Sequence, residues 1–420
     1  MNNDNVKQKI YPKELHQLDL RSIDKEALYV LDKLTAAGHI AYLVGGGVRD
    51  LLLQCKPKDY DISTSAEPET IRKLFRNCIL IGKRFRLAHI RFGRKIIEVS
   101  TFRSGDTEND ALILRDNVWG TQEEDVLRRD FTINGLFYDA ANQTVIDYVN
   151  GFEDLKKGCL KTIGQPFIRF RQDPVRMLRL IKFKARFGFS VDSDTETALL
   201  ESKHELIKSS STRILEEILR MLESGASLSF FHLLTEYGFL QIILPAIASF
   251  LESKEDQEIY LFLKELDAIA TESKEIDRSI ALSCLLFPLF QKRIASLFAG
   301  REHPPHLGEI QGEAFSLFHE SFDSFFKVPK KIKYATCSIL TAQFRLVSQD
   351  GKKPKSFRIP NDPDFSLAIQ FLEIRARINQ DFIKIAKEWK KKFEAKVIEE
   401  PLEKKRPRKR KRKRPSSPES

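Results

Sequence analysis

Cysteine is scarce, and the five present, Cys55, Cys78, Cys159, Cys284 and Cys337, make no close pair and no metal-ligand spacing. That argues against a disulfide framework or a cysteine-held metal and for reduced, packed thiols in a cytoplasmic protein. Long apolar runs are also missing. The longest, residues 279–290, contains Pro288 and is bounded by Arg278 and Lys292, too short to cross a hydrocarbon layer ~30 Å thick. The opening Met1-Asn2-Asn3-Asp4-Asn5 is polar and acidic, unlike a signal peptide, so no targeting segment and no membrane contact are expected. The body also lacks a charge excess. The chain carries 70 Lys and Arg against 59 Asp and Glu, a net charge of +11. Setting aside the ten basic residues of 404–414 and Glu419 leaves 60 against 58 in residues 1–403.

With 420 residues, 42% hydrophobic and 31% charged, the chain has room for two or three domains around ordinary cores. Its basicity sits in a tail formed by Lys404, Lys405, Arg406, Arg408, Lys409, Arg410, Lys411, Arg412, Lys413 and Arg414. Such a run builds no core and reads as disordered. It suits binding to RNA phosphates, nuclear import or solubility.

An apolar run over residues 39–44 ends in Gly45-Gly46-Gly47 and passes into Val48-Arg49-Asp50-Leu51-Leu52. This reads as strand, tight turn and helix. Glycines let backbone N–H groups approach a phosphate, with Arg49 in place to add charge. Asp59 and Asp61 follow, separated by Tyr60. In a strand that spacing puts both carboxylates on one face, where a divalent cation would relieve their repulsion. Taken singly, a glycine cluster is a turn and Asp-x-Asp a solvated strand end. Together, Gly-Gly-x-Val-Arg-Asp and the later Asp-x-Asp resemble the signature of the class II nucleotidyltransferases, which comprise tRNA CCA-adding enzymes and bacterial poly(A) polymerases.

In chain order, Ser22 or Asp24 can cap a helix whose inner face is Ala27, Val30, Leu31 and Leu34, stopped by Gly38. Pro68 opens a second helix with Ile71, Leu74 and Phe75 inward. Strands are expected over residues 78–81, 85–92 and 95–101, the last two a hairpin around Gly93. Alternation sets Glu98 opposite Ile97 and Val99, either as a third acid of the metal site or as a solvated strand glutamate. Residues 80–90, with Gly82, Lys83, Arg84 and His89, resemble the short pattern that distinguishes poly(A) polymerases from CCA-adding enzymes. Residues 105–124 read as a flexible loop near the site.

Arg128-Arg129-Asp130-Phe131-Thr132-Ile133-Asn134 packs charges among apolar residues. Such charges pair internally or meet a ligand: Arg129 could clamp a triphosphate or ribose, and Asp130 could take a sugar hydroxyl or hold an arginine. The run resembles the family's second motif without departure. Beyond residue 151 the patterns are helical. Asp173 and Pro174 suit the cap and first turn of a helix on which Asp173, Arg176 and Arg179 share a face. They read either as a template for a base's amino donor and ring acceptor or as a surface ion pair. The position resembles the family's Glu-Asp-x-x-Arg motif with Gln172 in place of the first acid. Cytosine presents the same donor and acceptor as adenine, so these residues alone do not separate ATP from CTP. Phe230, Phe231, Tyr237 and Phe239 read as core, and His303 and His306 are too isolated for metal.

The resemblance covers residues 8–245 firmly. It implies an α/β head of the polymerase-beta-like palm type over 1–150, a helical neck over 151–245, an all-α body over 246–400 and the basic tail over 401–420. It also implies a monomeric enzyme that adds AMP from ATP to RNA 3′ ends in RNA turnover, with RNA-decay machinery or an RNA chaperone as further partners. Two Mg²⁺ ions would sit on Asp59 and Asp61, with Glu98 third. Gly45, Gly46, Arg49 and Arg129 would hold triphosphate, Asp130 the sugar, and Asp173, Arg176 and Arg179 the base. A CCA-adding enzyme and a silent RNA-binding protein are the rivals.

Overall fold

Ten strands build the head in the computed structural model, which describes residues 8–82, 86–104, 118–252, 257–272, 275–301, 303, 305–347 and 358–403. In chain order they are β1 Lys9–Tyr11, β2 Ala41–Val44, β3 Asp61–Thr64, β4 Cys78–Ile81, β5 Leu87–Phe92, β6 Lys95–Thr101, β7 Arg103–Ser104, β8 Val118–Trp119, β9 Leu136–Asp139 and β10 Thr144–Asp147. Eight of them form one sheet in the order β1-β10-β9-β2-β3-β6-β5-β4, and β7 pairs β8 in a separate ribbon. Every neighbour in the large sheet is antiparallel except β3 with β6, which pairs Asp61 with Glu98 and Ser63 with Ser100.

Alternation decides what each face of this sheet does. Leu43, Ile62, Ala88, Ile90 and Val99 are completely buried on one side, under the helices Lys25–Ala36 and Pro68–Leu74. Burying each large aliphatic side chain contributes about 1.5–3 kcal/mol. A one-residue slip of β3 would exchange Ile62 with Asp61 and lose that burial, so the register that sends Asp61 to the opposite face is strongly held. The first helix keeps its expected form: Asp24 accepts from Glu26 N at 3.0 Å, and Ala27, Val30, Leu31 and Leu34 are its buried face.

Residues 1–221 with 229–243 form one compact unit, so the expected head and neck fall together; 222–228 with 244–420 form another. The second unit is helical. Its helix Arg278–Phe298 takes the apolar run past Pro288. By length and composition it could cross a membrane, but 67% of its apolar window is buried, as in a core helix. It packs against Leu307–Phe318, Lys330–Leu346 and Phe365–Ile378. His306 has a local task there, accepting from Glu309 N at 3.2 Å in a capping box.

Candidate active site

The glycine turn forms as expected. Gly45 closes it with φ +66°, a backbone conformation that favours glycine, and a Cβ there would lie 3.1 Å from Arg129 Nη1, so a side chain would also press on that arginine. Gly46 begins the helix Gly46–Leu52. Arg49, however, turns inward. It is 4% exposed, donates from Nε and Nη2 to Asp50 Oδ1 at 2.9 and 2.6 Å, and donates from Nη1 to Asn134 Oδ1 at 2.6 Å. The rings of Phe183 and Phe187 lie 5.0 Å from the guanidinium carbon. Its charge is thus partnered inside the fold, because burying the group required those partners.

Asp59 lies just before β3 rather than in it, yet the alternation holds: Tyr60 is buried while Asp59 and Asp61 are exposed. Asp61 stays open to solvent while protein crowds its carboxyl. Burial, then the charge of Glu98 and more weakly that of Asp59, push it up to about 6 against the pull of Arg129. Glu98 stands beside Asp61 in register, but its Oε1 lies 3.3 Å from Nε2 of His89, the residue opposite it on β5. Among the described residues no three His, Cys, Asp or Glu side chains converge closely enough to hold a metal. Glu98 therefore has a histidine partner as well as its charge toward Asp61, and Asp59 and Asp61 are the exposed pair.

Over the same face runs the helix Gln122–Leu127, capped by Thr121 and Glu124. Of the expected loop over residues 105–124, residues 118–124 are a ribbon strand and the start of a capped helix, and residues 105–117 lie outside the described residues. Asp125, completely buried, accepts from Arg128 Nε and Arg129 Nη2 at 2.9 Å each and from Arg103 N at 3.3 Å. Burial pushes its carboxyl up, but the two guanidiniums outweigh that and hold it low. Arg129 also donates to Ser63 Oγ at 3.2 Å and lies over Phe137. Arg129 is thereby fixed between the glycine turn and Asp61.

Asp130 is internal. Its Oδ1 accepts from Phe131 N at 2.8 Å and Asn134 Nδ2 at 3.0 Å, and its Oδ2 lies 2.8 Å from Arg179 Nη2. Of the two expected roles, the one found is holding an arginine. Asp173 is not the expected N-cap: Pro174 holds that position for Val175–Phe187, and Asp173 is instead the C-cap of Pro166–Gln172. It sits at the break between Pro166–Gln172 and Val175–Phe187, where Arg213 Nη2 donates to its Oδ2 at 2.8 Å and Oδ1 is buried without a hydrogen-bond partner. Arg176, also buried, donates to the carbonyls of Arg169 and Arg128 at 3.1 and 3.3 Å. Arg169, unremarked in the sequence, donates to Gln172 Oε1 at 2.9 Å and to the carbonyls of Arg128 and Arg129 at 2.7 and 2.5 Å. Burial, then Arg176, push its guanidinium down to about 9. No local spacing marks Arg213 as the partner of Asp173, 40 residues away, or ties Arg169 to the carbonyls of Arg128 and Arg129, and the bond from Arg49 to Asn134 spans 85 residues.

An open sheet face carrying two acidic side chains, a glycine turn and a fixed arginine has the makings of a nucleotidyltransferase centre. Residues 41–161 match the poly A polymerase head domain, 188–251 the probable RNA and SrmB-binding site of polymerase A, and 312–419 the polymerase A arginine-rich C-terminus. Poly(A) polymerase I of Salmonella typhi is 36% identical over 401 residues, 90% of this chain and 84% of that protein. A CCA-adding enzyme of Lactobacillus helveticus is 41% identical over 199 residues, 47% of this chain and 49% of that protein. The fold also matches a solved tRNA-processing enzyme, with TM-score 0.58 and 20% identity over 90% of this chain and 95% of that one. The chain belongs to the poly(A) polymerase family of nucleotidyltransferases.

Proposed function

We propose that this chain is a template-independent RNA adenylyltransferase: the 3′-hydroxyl oxygen of an RNA attacks the α-phosphorus of ATP, the α–β bridge breaks, and pyrophosphate leaves. The observation that carries it is the Asp59–Asp61 pair on an open sheet face, with the Asp61 carboxyl raised by burial and then by neighbouring acids and Arg129 fixed beside it. Oxygen-only, solvent-accessible donors crowded by like charge fit a hard divalent cation, and phosphate and hydroxyl oxygens would complete its shell. Two Mg²⁺ ions held by Asp59 and Asp61 would lower the pKa of the attacking hydroxyl and neutralise charge on the leaving pyrophosphate. Gly45 and Gly46 leave room for the triphosphate, and Arg129 supplies the charge toward it. Arg49 and Asp130 act through Asn134, to which both are bonded, bracing the turn against the arginine motif.

At the base, Oδ1 of Asp173 is a buried acceptor without a partner, suited to an exocyclic amino group. Arg176 and Arg179 follow on the next helix, held by the contacts already described. Preference for ATP rests on the kinship and on residues 80–90, of which 80–82 and 86–90 are described. Five free thiols suit a reducing cytoplasm. The second reading, a CCA-adding enzyme, is favoured by the 41% identity over 199 residues, 47% of this chain. A labelled unrelated RNA offered each NTP in turn decides between them. Extension by tens of adenylates with ATP alone supports the first, and defined C and A addition restricted to a truncated tRNA end overturns it.

The basic tail, residues 404–414, lies outside the described residues. As an RNA-binding arm touching about five phosphates, it would contribute ~3 to 4 to the slope of log affinity against log salt, at roughly 0.7 per phosphate. Deleting residues 404–420 should flatten the measured slope by that amount and leave single-turnover addition on saturating primer unchanged. An unchanged slope would remove the tail from RNA binding.

A further inference from the structure

Only two tryptophans occur in the chain, and their surroundings differ completely. Trp389 is fully buried and donates from Nε1 to the carbonyl of Leu346 at 2.9 Å. Trp119 is 47% exposed, on the ribbon of β7 and β8, directly opposite Arg103 in register.

This ribbon is tightly built. Gly120 N donates to Phe102 O at 3.0 Å, and a Cβ on Gly120 would lie 2.5 Å from Ser104 N, so the chain passes where only glycine fits. Ser104 Oγ donates to Glu124 Oε1 at 3.2 Å, and Arg103 N donates to Asp125. The helix carrying Glu124 and Asp125 packs through Val126 on Val44, Phe102 and Phe137, the sheet face that also carries Asp61. One carboxylate, Asp125, thus joins the ribbon to Arg129. From Asp61 to the ribbon is about five residues of strand, or ~17 Å.

We propose that Trp119 is a stacking platform for a base of the single-stranded RNA primer, upstream of the reacting 3′ end. The chemistry is that of sequence-tolerant RNA grooves, an aromatic face beside a cationic side chain. Here Arg103 shares the tryptophan's side of the ribbon. A flat, two-torsion side chain on a fixed ribbon loses little freedom on binding. The inference rests on the reading that RNA is the substrate.

The full chain tests it by its own fluorescence, titrated with single-stranded oligoadenylate and separately with ATP. Oligoadenylate should quench emission saturably and protect it from iodide, and ATP alone should do neither. The response should vanish in Trp119→Phe, which retains only buried Trp389. Trp119→Ala should weaken primer binding roughly tenfold, with Trp119→Phe nearer wild type. The KM for ATP and kcat at saturating primer should hold in both variants. If wild type extends RNA while its emission is unmoved, is already shielded from iodide without RNA, or responds equally in Trp119→Phe, the platform is wrong and the polymerase reading stands. Primer affinity unchanged in Trp119→Ala would have the same meaning. If wild type adds nucleotides to no RNA, the polymerase reading fails and this inference falls with it.

Discussion

Asp61→Asn should abolish nucleotide addition, by roughly three orders of magnitude or more in kcat, while leaving primer affinity within a few fold and thermal stability equal or higher. The loss follows if this carboxylate anchors the catalytic cations, whose removal forfeits several kcal/mol of transition-state stabilisation. The stability statement follows from its raised carboxyl, pushed up to about 6. An acid whose folded pKa exceeds its unfolded value destabilises the fold above that pH and ceases to do so below its unfolded pKa. At neutral pH the asparagine therefore removes crowded charge. Primer-extension rates and melting curves across pH 4 to about 8 check both parts: wild type and variant should converge in stability toward the acid end. Turnover near wild type would sink the assignment, and a large drop in Tm would mean that Asp61 is structural.

Asp125→Ala is expected to have the opposite signature, with stability and activity lost together. This carboxylate is completely buried and holds two guanidiniums and a backbone N–H. Removing one side of such a network leaves buried charge uncompensated, at a cost of about 3–5 kcal/mol. Arg129 would also lose the partner that steadies it toward Ser63 and Asp61. Denaturant unfolding should show the loss, and single-turnover addition in the folded fraction should fall at least tenfold. Asp125→Asn, which keeps an acceptor, should lie between. An Asp125→Ala protein of wild-type stability would refute the buried network as a support of the fold.

These variants differ in how visible their residues were in the chain. Asp59 and Asp61 could be read because their spacing straddles a buried Tyr60, and that alternation survives although β3 starts only at Asp61. Asp125 stands three residues before the motif that starts at Arg128, but its burial under three donors depends on how Gln122–Leu127 lies on the sheet. Glu98 was read as facing Asp61, and it does by register; its turn toward His89 is a contact across β5 and β6 that no spacing within one strand contains.

By itself the sequence determined the local elements of this protein: the cap at Asp24 and the buried positions of its helix, the hairpin at Gly93, the turn at Gly45 and the strand Lys95–Thr101. Those follow from period, capping chemistry and positive φ, which act over a few residues. Tertiary structure decided the partners of the charges. Arg49 stands two residues from the glycines yet points to Asn134, 85 residues away. Asp173 precedes a proline as a helix cap would, yet it is taken by Arg213, 40 residues on. The physical reason is common to both. A buried charge is held by whichever opposite charge or dipole the packed elements bring within about 3 Å, and short-range sequence rules carry no information about that distance.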